Sequence, residues 1–136
     1  MQQTAMENQT FKPLAVRRAI ILLWASWAIG IPKTLLDWAQ LTSRTSGVFN
    51  AFVIISTLAI VAFFIWKIGQ GKNWARIVFL VMSLLGVVPF LFVVRSEFAR
   101  SPASGLLSTV QCGIQAIAFL LLFTSPGKEW FRARHG

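Results

Sequence analysis

Histidine and cysteine occur once each along this sequence, and acidic residues only four times. The single thiol, Cys112, lies inside an apolar run, so it has no intramolecular disulfide partner and no Cys cluster to join in binding a metal. His135 lies in the tail. Metal ligation and triad chemistry therefore lack their parts, and no residue set suggests a catalytic or cofactor site. A phosphate-binding loop is missing too: the turn at Gly71-Lys72 has neither the further glycines nor the following Ser or Thr that a P-loop needs. Charge is scarce, at 12% of residues against about 25% in an ordinary soluble domain. The expectation is a protein that is not an enzyme, with no metal and no cofactor.

What is present is apolar. Hydrophobic residues make up 56% of the 136, where soluble domains carry roughly 45–50%. A chain of one domain's length cannot bury such an excess, because small folds keep much of their surface exposed. Lipid must cover it. The net charge of +9 and pI near 11.6 call for an anionic partner. The cations lie between apolar runs and form no patch interleaved with aromatics. That points to a bilayer with anionic headgroups and away from nucleic acid.

A spanning helix takes about 20 mostly apolar residues. Four stretches qualify, near 16–36, 47–66, 75–94 and 106–123, after a polar N-terminal segment (1–15) and before a basic C-terminal tail (124–136). Residues 48–66, 77–94 and 106–123 carry no charge at all. Lipid offers no partner to open backbone groups, so such runs must be helical. They also lack the alternation that barrel strands require. The expected fold is all-α, a polytopic membrane bundle of four helices. Arg17-Arg18 ahead of an apolar run imitates a signal peptide, but Ala25-Ser26-Trp27-Ala28 has the wrong spacing and bulky neighbours for a clean small-x-small cleavage site, and a retained first helix is expected.

The first span is the weakest, with a short charge-free stretch from Ala19 to Pro32. Lys33 and Asp37 come next, four apart on one helical face, where they can pair. One reading lets the helix run past Pro32 while Lys33 snorkels to the headgroups. The other makes a partly buried ion pair a functional point, as ionisable groups within a membrane commonly are. As an interfacial pair it is worth at most about 1 kcal/mol.

Lysine and arginine divide unevenly between the two sides. Lys12, Arg17, Arg18, Lys67, Lys72, Arg76, Lys128, Arg132 and Arg134 collect on one, and Lys33, Arg44, Arg95 and Arg100 on the other. In short loops this asymmetry puts the richer side, with both termini, in the cytoplasm. Trp66, Trp74 and Trp130 then mark the inner interface and Trp38 the outer, as an aromatic belt would.

A shift of 56 residues brings Ala19 onto Ala75, Gly30 onto Gly86 and Arg44 onto Arg100. It also lays Gly71-Lys72-Asn73-Trp74-Ala75-Arg76 over Gly127-Lys128-Glu129-Trp130-Phe131-Arg132, a shared Gly-Lys-x-Trp-x-Arg. Two tandem helical hairpins of like orientation would explain the register. Recurring interface chemistry would explain it as well: Gly ends a helix, Lys and Arg meet phosphates, and Trp anchors.

Three sets of residues stand out as candidate sites. Ser108, Gln111, Cys112 and Gln115 form a polar stripe on the fourth span, read chiefly as a seam that hydrogen-bonds across helices, each bond worth roughly 0.6–2 kcal/mol. The Lys33–Asp37 pair is the second. The third is the pair of turns carrying Lys72, Trp74, Arg76, Lys128, Trp130 and Arg132, suited to anionic headgroups, with Trp at carbonyl depth and the cations at phosphate. Pro32 and Pro89 fall inside spans and each removes a backbone hydrogen bond. Trp24 and Trp27 are expected to pack inside the bundle.

The Gly-[KR]-x-Trp-Ala-Arg turn, here Gly71 to Arg76, and the Phe123-Thr124-Ser125-Pro126 ending that leads to Trp130-Phe131 give the chain a family look. It resembles uncharacterised small four-helix inner-membrane proteins of bacteria. The resemblance covers the helical region and implies a location in the inner membrane; it carries no activity. Small multidrug exporters have four short helices too, but rely on an acidic residue within the first span. Here Asp37 lies at an end of that span, and Glu is absent from all four as delimited above. Small fluoride channels share the length without a matching polar-aromatic pattern. A structural, accessory or partner-binding membrane component, pairing with itself or another membrane protein, is the expected function. A small transporter or channel working as an oligomer is the alternative.

Overall fold

A computed structural model describes residues 11–124 and 126–133. Most of the expected polar N-terminal segment, and the last three residues of the tail including His135, lie outside those described residues. Among the described residues five helices succeed one another: α1 (Leu14–Arg44), α2 (Gly47–Gly69), α3 (Asn73–Arg100), α4 (Pro102–Phe123) and the short α5 (Gly127–Ala133). The first four are long and apolar enough to cross a membrane. Their outward faces carry large bare hydrophobics such as Phe52, Leu85 and Phe92 (70–85% exposed), as surfaces that meet lipid do. The chain is an all-α, multi-pass membrane protein built as a four-helix bundle.

All four long helices overrun the expected spans, chiefly at the end away from the termini. α1 continues to Arg44 where 36 was expected, α3 to Arg100 where 94 was, and α4 begins at Pro102 where 106 was. An apolar run marks only the lipid-covered part of a helix; the backbone stays helical until a cap or turn stops it. Those stops are identifiable. Ser46 caps α2 by accepting from Phe49 N (3.4 Å), and Asn50 Nδ2 donates to Leu41 O (2.9 Å), which pins the corner between α1 and α2. Ser101 alone separates α3 from α4: its N–H donates to Glu97 O (2.9 Å), and its Oγ accepts from Ser104 N (3.3 Å). Pro102 then takes the first helical position, where its missing N–H costs nothing. Neither Pro32 nor Pro89 ends its helix.

At the other end, Gly71 turns the chain from α2 into α3 with φ 82°, a backbone shape that favours glycine. The expected tail is not all tail. α5 forms within it and buries Trp130 and Phe131.

The helices form a ring in chain order, with α1 packed most extensively on α4. The buried core lies wholly toward the end holding the termini: Val16, Ala19 and Leu23 of α1, Ile65 and Ile68 of α2, Ala75 and Phe79 of α3, Ala118, Phe119 and Leu122 of α4, and the α5 aromatics. Phe79 links them, stacked on Phe64 (centroids 6.2 Å apart) and tilted on Phe119 (5.6 Å). Because lipid is as apolar as these side chains, close packing, not exclusion from water, drives the association.

Candidate functional site

Away from the packed end the bundle is polar inside. Lys33 and Asp37, one turn apart on α1, do pair, with Lys33 Nζ 2.7 Å from Asp37 Oδ2. They are not alone. Arg100 of α3 reaches Asp37 Oδ1 at 3.1 Å, and Ser104 Oγ of α4 donates to the same oxygen at 2.6 Å. Lys33 also lies 3.6 Å from Glu97 Oε1 of α3, and Ser108 Oγ of α4 donates to Glu97 Oε2 at 2.9 Å. Two cations, two carboxylates and two hydroxyls thus tie three helices together. The side chains of Lys33, Asp37 and Glu97 are 22, 14 and 16% exposed, and that of Arg100 is 40%. At 1.5 Å per residue, Lys33 stands about 22 Å along α1 from Arg18.

The helix runs past Pro32, and the Lys33–Asp37 pair is partly buried. The expected absence of Glu from every span is corrected, because α3 continues beyond Val94 and carries Glu97 into the bundle. Sequence reasoning misses Glu97 and Arg100 because the charge-free run ends at Val94. The register of Arg100 with Arg44 in the repeat, and the helix-ending Ser101-Pro102, were the available signals.

The polar stripe of α4 divides its work. Ser108 holds Glu97, and Gln111 Nε2 donates across to Ser26 O of α1 (3.1 Å), so these two form the expected seam. Gly30 allows the approach: a Cβ there would stand 3.3 Å from Gln111 Nε2. Cys112 and Gln115 instead face a cavity of about 520 Å³ between the four helices. Lys33, Glu97, Ser108 and Gln111 border the same space, and Trp27, Phe79 and Phe90 supply aromatic wall. Trp27 is fixed by donating Nε1–H to Leu58 O of α2 (3.0 Å) and by an edge-on contact with Trp24 (5.6 Å). Trp24 itself is 39% exposed, so only Trp27 is an inward residue as expected. Gly86 borders the cavity, and a Cβ on it would meet nothing within 4 Å.

The six residues expected to meet headgroups separate into two groups. Lys72, Trp74, Lys128 and Arg132 are exposed at the termini end. Arg76 and Trp130 are buried, at 7% and 4% exposure, which corrects their assignment. Arg76 NH1 donates to Leu122 O (2.6 Å), and its Nε donates to Asn73 Oδ1. The guanidinium lies 4.6 Å from the ring centre of Phe123 and 4.5 Å from that of Phe131. Leu122 belongs to the last turn of α4, whose carbonyls have no helical donor, so Arg76 acts as a cap and as the floor on which α5 sits. Gly127 lies equally close: a Cβ there would strike Leu121 O.

Among the described residues, no three His, Cys, Asp or Glu side chains gather as a metal site would require. The cluster can hold charge in register and hydrogen-bond a guest. Comparison with protein-family models, curated proteins and solved structures found no match to this chain.

Proposed function

We propose that the protein is a non-enzymatic binding component of a bacterial inner membrane, with both termini in the cytoplasm, that receives a small guest in its intramembrane cavity. One observation carries this reading. The cavity of about 520 Å³ is bordered by charged and polar groups from several helices, an arrangement that lipid contact alone does not require. Tight apolar packing from Val16 to Phe131 lies toward the termini, which favours a blind site over a continuous pore within one chain. Lys72, Lys128 and Arg132 remain available to anionic headgroups on the cytoplasmic side.

Orientation is tested with reporters active only outside the cytoplasm, fused after Gly136 and within the turns near Arg44 and Ser101. Silence at Gly136 and signal at both turns are expected, and a signal at Gly136 would reverse the topology.

The transporter reading keeps one observation in its favour, the Lys33–Glu97 charges at the cavity border. Purified protein in liposomes under an imposed potential decides between the two. Binding without conduction means that flux of protons, small ions and lipophilic cations matches that of empty liposomes. Protein-dependent flux that Glu97→Gln abolishes would establish transport instead.

A further inference from the structure

The chemistry of the cavity lining selects among guests. Three of its hydroxyls, those of Thr34, Thr57 and Ser108, have already spent their donors. Thr34 Oγ1 donates to Gly30 O (2.7 Å), Thr57 Oγ1 to Val53 O (2.8 Å) and Ser108 Oγ to Glu97 Oε2 (2.9 Å). Each hydroxyl carries one proton and two lone pairs, so what these groups still offer is acceptors. Gln111 commits one N–H to Ser26 O, and the Trp27 N–H is taken by Leu58 O.

The two charges at its border are unequally satisfied. Lys33 stands between two carboxylates, 2.7 Å from Asp37 and 3.6 Å from Glu97. Asp37 is held by Lys33, Arg100 and Ser104. Glu97 accepts one hydrogen bond, from the neutral Ser108. Its other oxygen has only Lys33 at 3.6 Å, beyond hydrogen-bond range. An ionised carboxylate has about four acceptor sites, so Glu97 keeps unspent capacity at the cavity. The wall formed by Trp27, Phe79 and Phe90 adds ring faces, which attract cations and not anions.

We infer that the cavity takes an amphipathic organic monocation, a protonated amine with an aromatic or alkyl body, whose ammonium donates to Glu97 and whose body lies against Trp27 and Phe90. This rests on the binding reading above and names its ligand class. An ammonium supplies N–H donors to the unspent acceptor sites of Glu97, and it places positive charge beside the less satisfied carboxylate.

The test uses the full chain in nanodiscs of neutral phosphatidylcholine, with empty discs subtracted and binding followed by equilibrium dialysis. Three probes share one body and differ in head: 4-phenylbutylammonium, 4-phenylbutanol and 4-phenylbutyrate. Saturable binding of the amine at one per chain is expected, at least tenfold tighter than the alcohol or the acid. Glu97→Gln keeps the side-chain shape and an acceptor for Ser108, and should weaken the amine at least tenfold. Gly86→Leu, at a cavity-lining position where an added Cβ meets nothing within 4 Å, should abolish binding while the helical circular dichroism stays unchanged. The cation assignment is overturned if the acid binds more tightly, if amine and alcohol bind equally, or if either variant binds the amine as the parent does. Absence of saturable binding by all three probes would overturn the cavity reading as well.

Discussion

Asp37→Ala is expected to destabilise the bundle by about 2 kcal/mol, more than twice what an isolated interfacial pair supplies. The carboxylate accepts from Lys33 at 2.7 Å, Ser104 at 2.6 Å and Arg100 at 3.1 Å. Those donors come from α1, α4 and α3, so one side chain fastens three helices. Its removal leaves Lys33 with only Glu97, 3.6 Å away, and Arg100 without the carboxylate it pairs with. Breaking a fully buried pair from one side costs about 3–5 kcal/mol; the 40% exposure of Arg100 lets water soften the loss. Lys33→Met combined with Asp37→Asn should cost less than Asp37→Ala, because it also removes the Lys33 cation. Unfolding in mixed micelles of rising dodecyl sulfate content, followed by helical circular dichroism, measures both. Equal stability of Asp37→Ala and the parent would mean that solvent screens the whole cluster.

The value that one-dimensional reasoning assigns to this pair is low because it counts two residues. Spacing of four along α1 reveals that Lys33 and Asp37 share a face, and it is silent on what another helix brings to that face. Glu97 and Arg100 lie about 60 positions downstream, past the point where the charge-free run stops. Hydropathy ends a span where charge begins; a helix ends where its backbone finds another partner, and here that is the single residue Ser101. The four spans themselves were legible because an apolar run of such length has one hydrogen-bonded solution in lipid. The polar stripe on α4 was legible for the same reason that Lys33–Asp37 was, helical spacing along one stretch of chain. Its division into a seam at Gln111 and a cavity wall at Gln115 was not, since that depends on how closely Gly30 lets α1 approach.

The repeated Gly-Lys-x-Trp-x-Arg demonstrates how equal sequence takes unequal environment. In the first copy Gly71 makes a left-handed turn, Trp74 is 46% exposed and Arg76 is buried. In the second, Gly127 is needed because a Cβ would strike Leu121 O, Trp130 is buried, and Arg132 is exposed. The first copy leads into a spanning helix and the second into a single short helix folded against the bundle end. Trp and Arg therefore exchange roles. An interfacial reading of both motifs treats them as equivalent, but a long spanning helix and a docked single helix give their first turns different neighbours. The result is a molecule whose two ends differ in kind: aromatic and closely packed toward the termini, polar and hollow toward the opposite turns.

Arg76→Ala is expected to be the most damaging single change at the packed end, costing about 3 kcal/mol. A hydrogen bond from a charged donor contributes about 1.5–3 kcal/mol, and Arg76 gives one to Leu122 O and another to Asn73 Oδ1. Two ring faces within 5 Å, Phe123 and Phe131, add about 0.5–2 kcal/mol between them when desolvated. The guanidinium also stands at the negative end of α4, where a cation is favourable. Truncation removes all of these and leaves the last turn of α4 without its donor. Arg76→Lys should recover less than half, because a lysine cannot reach two acceptors in the plane of one fork and lies poorly between two rings. The damage should appear first in α5, whose Phe131 is seated on Arg76. Limited trypsin digestion reads this directly, since Lys128 and Arg132 lie exposed on α5 yet are held in a docked helix. Cleavage at these two sites should accelerate at least tenfold in Arg76→Ala, under conditions where α1 to α4 stay folded. If cleavage there is no faster and unfolding coincides with the parent's, then α5 is held by Trp130 and Phe131 alone and the capping role of Arg76 is wrong.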